Sequence, residues 1–251
     1  MIKVLTYRVA RIVFRVVNKL LNRFGVVLSK PDFIHGSPAF SGALVLSRRM
    51  FQTRDILERV SDVEGEIVEG GVHWGYGLII ELLLSDKKIH AFDSFSGHSK
   101  ATAADKSSKE WKPLDSSFEV SKEDAMETIR IGTNLSNFQI EERIKFYEGW
   151  VDATMPKWTD EMKSLGKKLA YVHADMDIYE PIKCILLQTY PLLNSGAIVS
   201  VGIINNPELA GKTKAFNEFL ETINPSEIEI KSRSIVDTDG REQQHTFFVK
   251  K

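Results

Sequence analysis

Glycines and carboxylates follow two short apolar runs, at points where strands of a parallel sheet would end. The run Glu66–Glu69 continues into a turn that contains Gly71 and Gly75, and a second run ends in Asp93. Glycine lets the backbone approach a ligand closely, and a helix that follows such a turn presents free N–H groups. The arrangement favours a cofactor site, although such glycines also serve to pack a helix against a strand.

The two carboxylates indicate which kind of cofactor fits. Glu69 would lie near the cationic amino group of a methionine-like ligand, whereas its negative charge would repel a pyrophosphate. Asp93 can accept hydrogen bonds from both ribose hydroxyls, although it could instead cap a turn with Ser94. The glycine spacing also lacks the full GxGxxG pattern of dinucleotide sites. These features predict S-adenosylmethionine as the cofactor.

A second group of polar residues ends a later apolar run, with His173, Asp175 and Asp177 in close succession. Carboxylates at the carboxyl end of a strand can bind a divalent metal or remove a proton from an acceptor hydroxyl. Asp175 is the preferred base and His173 the alternative, although strand alternation could point His173 away from the cofactor. His73 is a further candidate, and Asp177 could instead cap the next helix.

Alternating helical and strand patterns position these residues in an α/β fold with a mostly parallel sheet. The predicted helices cover residues 44–60, 78–84, 123–135, 182–193 and 212–222. The predicted strands cover residues 66–69, 88–93, 144–147, 169–174, 197–201, 228–233 and 246–250. Asp239-Gly240 predicts a hairpin turn between the last two strands. The long polar stretch Ser94–Glu119 is expected to be a lid or disordered.

Length and composition predict one main domain, with residues 1–40 as a helix and linker and residues 41–251 as the α/β domain. The 251 residues include 43% hydrophobic and 27% charged residues, with a formal net charge of -1. This balance gives no indication of a nucleic-acid partner. The single cysteine, Cys184, cannot form an internal disulfide, so cytoplasmic residence is expected.

Residues 2–24 have a pattern of their own, with basic residues three or four apart from Arg8 to Arg23 and apolar residues between them. The basic residues are Lys3, Arg8, Arg11, Arg15, Lys19 and Arg23. This pattern predicts a basic amphipathic helix, either in peripheral contact with an anionic membrane surface or docked on a partner. The alternative is packing on its own domain or on the other subunit of a homo-oligomer.

Four segments of the chain resemble the macrocin (TylF-type) sugar O-methyltransferases, from about Leu44 to the C-terminus. They are Val68–Val72, Phe92–Phe95, Glu148–Trp150 followed by Thr154–Pro156, and Asp175–Glu180. The resemblance implies a seven-stranded Rossmann-like class I methyltransferase fold, with S-adenosylmethionine as methyl donor and magnesium-assisted transfer to a sugar hydroxyl.

The resemblance also implies roles for individual residues. Glu69, Gly71, Asp93 and Ser94 would hold the methionine and ribose parts of the cofactor. Gly149 and Trp150 would lie near the adenine, although Trp150 could equally be a core aromatic residue.

One departure from the family pattern concerns the metal. The strand after the Asp-x-Asp block ends in an Asp-Asp pair in the family, but Ala197–Ile204 contains no carboxylate. Asn205 and Asn206 offer amide oxygens, which with Asp175 and Asp177 would bind magnesium more weakly than a carboxylate set. The sequence therefore predicts a sugar O-methyltransferase whose metal dependence is in doubt.

Two other classes of function remain as alternatives. The first is a methyltransferase-like protein that has lost its metal site and acts as a binding or scaffold protein. The second is a nucleotide-dependent oxidoreductase, which Glu69 and the glycine spacing disfavour.

Overall fold

One seven-stranded sheet organises the part of the chain that the computed structural model describes, which is residue 50 and residues 52–106, 120–236 and 242–251. The strands are β1 (Glu66–Gly70), β2 (Ile89–Asp93), β3 (Ile144–Glu148), β4 (Leu169–Ala174), β5 (Leu193–Ile203), β6 (Ile228–Val236) and β7 (Glu242–Lys250). Their order is β3-β2-β1-β4-β5-β7-β6. The first five strands are parallel, and β7 pairs antiparallel with β5 and β6.

Helices connect the parallel strands β1 to β5, as the crossover rule for such sheets requires, while the first helix precedes β1 and the last leads from β5 to β6. They are α1 (52–59), α2 (Tyr76–Leu84), α3 (Lys122–Thr133), α4 (Asn137–Arg143), α5 (Val151–Ser164), α6 (Tyr179–Thr189) and α7 (Ala210–Glu221). Side-chain caps define two of the helix starts, since Ser121 accepts from Asp124 N–H and Ser136 forms a capping box with Gln139.

Apolar clusters cover both faces of the sheet. Alternate residues of β4 separate to the two faces, so that Tyr171 packs in one cluster with Ile67 while Val172 packs in the other with Val68. All six residues of β4 are buried, as expected of a central parallel strand. The carboxyl ends of β1 and β4 are therefore held rigidly side by side.

The predicted fold class is confirmed, whereas two helices were missed in the sequence. No element was predicted for α4 or α5. Helix α4 is short, and Pro156 lies inside α5, where it removes a backbone donor from an otherwise helical pattern. Burial of Met155, Trp158 and Met162 on one face shows that packing outweighs this loss.

Three predictions fall outside the described residues. They are the basic helix over residues 2–24, the domain boundary near residue 40 and the turn at Asp239-Gly240. Within residues 52–106, 120–236 and 242–251, no helix is both long and apolar enough to cross a membrane.

Candidate active site

A cleft of about 240 Å³ opens at the carboxyl ends of the parallel strands β1, β2 and β4. This is the edge at which open α/β sheets bind their ligands. The residues lining the cleft that the sequence had predicted for the site are Gly71, His73, Asp93, Ser94, Gly149, Trp150, Asp175 and Asp177. The fold thus brings together residues more than 100 positions apart in the chain.

The turn between β1 and α2 needs glycine at two positions. Gly71 has a φ of 89°, and a Cβ there would overlap the carbonyl oxygen of Asp175. Gly75, at the start of α2, has a φ of 79°, and a Cβ there would lie 2.7 Å from the Ile129 side chain. Both glycines therefore allow the turn to fit between its neighbours, but only Gly71 lines the cleft.

Asp93 holds this turn and the next one in place. One of its carboxylate oxygens accepts a hydrogen bond from His73 N–H at 2.9 Å, and the other accepts from Phe95 N–H at 2.7 Å. His73 and Phe95 have φ values of 49° and 51°, which cost energy for residues other than glycine. Each carboxylate oxygen keeps a second lone pair for a ligand in the cleft.

The far end of the cleft is formed by the turn after β3. Gly149 donates its N–H to the Asp93 carbonyl at 3.0 Å, which ties this turn to the end of β2. Trp150 follows with 36% of its surface exposed, so it is not a core residue and offers an aromatic face at the cleft. The Ser94 hydroxyl donates a hydrogen bond to the Gly97 carbonyl at 2.9 Å.

The segment after β4 carries the two aspartates. Asp175 N–H bonds the Gly70 carbonyl at 2.9 Å, which fixes it beside the glycine turn. Asp177 forms an ion pair with His98 at 3.4 Å, from the loop after β2. Asp177 therefore does not cap α6. That position belongs to Asp105, which accepts from Tyr179 N–H at 2.7 Å.

Glu69 and His173 lie away from the cleft, buried between β1, β4 and α2. His173 Nδ1 and Glu69 Oε2 are 2.7 Å apart, and the two residues pair across the strands in register. The other Glu69 oxygen lies against Gly77 and has no hydrogen-bond partner among the described residues. Their predicted contacts with cofactor and acceptor stay predictions, and neither residue lines the cleft.

A family comparison identifies the chain. Residues 29–227 match the model of the macrocin O-methyltransferase (TylF) family, well over half of the sequence. The chain belongs to the macrocin O-methyltransferase family. A search of curated proteins returned no match.

Solved structures similar to this macrocin O-methyltransferase family member share its fold. The calicheamicin methyltransferase CalS11 has a TM-score of 0.61 and 21% identity, covering 81% of this chain and 79% of that one. The O-methyltransferase NovP has a TM-score of 0.56, with the same identity and coverages. TomG from Streptomyces achromogenes, solved with S-adenosylmethionine, has a TM-score of 0.53 and 16% identity over 94% of this chain and 88% of that one.

The end of β5 is where the resemblance described above implies an Asp-Asp pair. Strand β5 ends at Ile203 without a carboxylate. Asn206 uses its side-chain oxygen to accept from Glu208 N–H at 2.9 Å, and Asn205 is exposed. Both line a separate shallow depression beside α7 rather than the cleft. With Asp177 paired to His98, the described residues do not fit the magnesium ligand set that the family pattern implies.

Sequence reasoning missed three residues near this site, His98, Asp105 and Lys212. Thr102–Asp105 is a Ser/Thr-x-x-acid pattern that forms a capping box around a short 3₁₀ turn, and this signal could have been read from the sequence. No signal distinguishes Lys212 from the other lysines, because its burial depends on how α7 packs.

Proposed function

We propose that the chain transfers a methyl group from S-adenosylmethionine to a hydroxyl group of a sugar, in a glycan or a glycosylated metabolite. The observation that carries the proposal is one cleft in which Gly71, Asp93 and Asp175 meet, in a chain of this family. A structure of CalS11 is described as a TDP-rhamnose 3'-O-methyltransferase, which supports a sugar acceptor here.

The cofactor half of the cleft suits S-adenosylmethionine. With its remaining lone pairs Asp93 would accept hydrogen bonds from the ribose hydroxyls, and the glycine turn would hold the methionine part. Trp150 offers its ring to the adenine, with Gly149 and Ser94 beside it. The predicted contacts of Glu69 and Gly75 with the cofactor stay predictions, because neither residue lines the cleft. When bound, the cofactor supplies an electrophilic methyl group on a sulfonium sulfur.

Asp175 is the base of the proposed reaction. The acceptor hydroxyl passes its proton to Asp175 while its oxygen forms a bond to the methyl carbon and the carbon–sulfur bond breaks. The products are a methyl ether, S-adenosylhomocysteine and a protonated Asp175. We prefer Asp175 to His173 for this role because Asp175 lines the cleft, whereas His173 is paired with Glu69.

The test has two stages, with binding measured before turnover. Calorimetry with S-adenosylmethionine is expected to give micromolar affinity for the full chain, and Asp175→Asn is expected to retain it. Release of S-adenosylhomocysteine is then measured with a panel of nucleoside-diphosphate sugars and glycosides. We expect Asp175→Asn to lower turnover by about 100-fold or more, as for loss of a general base.

The outcomes separate the proposal from its alternative. Absence of cofactor binding would overturn the enzyme assignment. Binding without transfer to any sugar would favour the second candidate, a methyltransferase-like binding or scaffold protein. The observation behind that candidate is the carboxylate-free end of β5.

We also propose that the basic residues 2–24 bring the protein to the inner face of an anionic membrane from the cytoplasm. The support is the sequence pattern alone, with six basic and no acidic residues among them. Removal of residues 1–29 should abolish sedimentation with phosphatidylserine vesicles and leave cofactor affinity unchanged. Full-length protein that fails to sediment with such vesicles would contradict the proposal.

A further inference from the structure

Lys212 is a buried lysine in the first turn of α7. Only 2% of the residue is exposed, and it ranks among the largest buried side chains of the protein. A buried ammonium group is costly unless a carboxylate pairs with it. Within the described ranges, however, no carboxylate oxygen lies within 4.0 Å of Lys212 Nζ. The next lysine on the same helix, Lys214, has an exposed side chain and lies near Glu218.

Lys212 Nζ lies near Gly202, a glycine close to the end of β5. A Cβ at Gly202 would lie 3.4 Å from Nζ, and Gly202 has a φ of 74°. The register of β5 against β7 shifts between Ser200 and Gly202, so the strand is distorted at this point. The ammonium group thus lies at the strand end where the family pattern has its Asp-Asp pair.

Asp175 lies at the neighbouring strand end. The last residues that pair between β4 and β5 are His173 and Ser200, and Asp175 and Gly202 each follow two residues later in the chain. Neighbouring strands are about 4.8 Å apart, so Asp175 and Gly202 belong to the same region at the carboxyl end of the sheet. Asp175 and Lys212 both act electrostatically on His245 of β7, because the charge of Asp175 raises the pKa of His245 and the charge of Lys212 lowers it.

From this placement we infer that the Lys212 ammonium group takes the place of a divalent cation in this family member. It supplies a fixed positive charge beside Asp175 and repels a metal ion from the cleft. The inference rests on the proposed methyl transfer, in which Asp175 accepts the proton from the acceptor. It accounts for two features together, the carboxylate-free end of β5 and a buried lysine that has no carboxylate partner among the described residues.

Binding of Mn²⁺ tests this inference without any acceptor. The free Mn²⁺ signal in electron paramagnetic resonance is titrated with the full chain in the presence of S-adenosylhomocysteine. We expect the wild type to bind more weakly than about 1 mM at this site. Lys212→Met removes the charge and keeps the apolar stem, and Lys212→Asp adds a carboxylate. Both are expected to bind Mn²⁺ about tenfold or more tightly than the wild type.

Matched controls locate the effect. Lys214→Met and Lys214→Asp make the same changes at the exposed lysine and should leave Mn²⁺ affinity at the wild-type level. Adding Asp175→Asn to either Lys212 variant should remove the gained affinity. S-adenosylmethionine binding confirms that each variant is folded. If Lys212→Asp does not fold, the Mn²⁺ affinity of Lys212→Met alone tests the inference.

Two results would overturn the inference. One is wild-type Mn²⁺ binding that Asp175→Asn abolishes. The other is folded Lys212 variants that bind no more Mn²⁺ than the Lys214 variants. Failure of the wild type to bind S-adenosylmethionine would instead overturn the proposed function. The two failures can be told apart, because Mn²⁺ binding can also be measured without cofactor.

Discussion

At the scale of single residues, Asp93 has two tasks at once. It accepts hydrogen bonds from two backbone N–H groups, and it faces the cleft with its remaining lone pairs. Those two N–H groups belong to His73 and Phe95, both in left-handed backbone conformations. The shape of the cofactor turn and the proposed ribose contact therefore depend on the same carboxylate.

Asp93→Asn is expected to weaken S-adenosylmethionine binding by about 10- to 100-fold. The amide keeps one acceptor oxygen but turns an NH₂ group toward a backbone N–H, so one charge-assisted hydrogen bond is lost and a repulsion replaces it. Calorimetry measures the change. Glu148→Gln is the control, because Glu148 is the exposed carboxylate beside Asp93 at the end of β3. Equal effects in the two variants would contradict the assignment.

At the scale of elements, the loop after β2 is attached across the cleft at two points. His98 pairs with Asp177, and Asp105 binds the start of α6. Asp105 is only 4% exposed, and its second oxygen accepts from Thr102 N–H at 2.8 Å. A Cβ at Gly211 of α7 would overlap Asp105, so this attachment depends on a glycine in another helix. Residues 94–106 can in this way help to exclude water from the reaction.

Asp105→Ala is expected to release this loop. Tyr179 N–H would lose its buried acceptor, at a cost of about 1–3 kcal/mol, and the thermal midpoint should fall accordingly. We expect S-adenosylmethionine to dissociate about tenfold faster, as measured by stopped-flow fluorescence of the tryptophans. Asp160→Ala, at an exposed position of α5, serves as the control. Unchanged dissociation in Asp105→Ala would show that the loop does not cover the cofactor.

At the scale of the whole molecule, the packing that buries the sheet also changes the pKa of a histidine within it. His245 on β7 is 8% exposed, and its Nε2 lies 3.3 Å from the Ser200 hydroxyl. Burial lowers the pKa of His245 to about 4, and the charges of His173 and Lys212 act in the same direction. His245 is therefore neutral in the folded protein at neutral pH.

The stability of the protein should fall in mild acid for this reason. An unfolded chain takes up a proton at His245 near pH 6.5, whereas the folded chain does so only near pH 4. The free energy of unfolding should thus decrease between these pH values, by on the order of 3 kcal/mol from this residue. Urea unfolding at a series of pH values measures it. In His245→Gln the pH dependence should be shallower, and an unchanged slope would contradict the prediction.

The sequence by itself determined the fold class and most of the cleft. Alternating periods of about two and 3.6 residues identify the strands and helices, and polar residues after buried strands must meet at one edge of a parallel sheet. Gly71, Asp93 and Asp175 could be predicted in this way, since their chemistry follows from a local pattern.

Tertiary structure alone decided which side chains face the cleft and which do not. Glu69 and His173 are predicted as ligand and base, and strand pairing sets their side chains against each other, at 2.7 Å and outside the lining of the cleft. Lys212 looks like any surface lysine in the sequence, and its burial, with Nζ near Gly202 of β5, appears only in the folded protein. Side-chain direction and burial depend on contacts between distant segments, which no local spacing encodes.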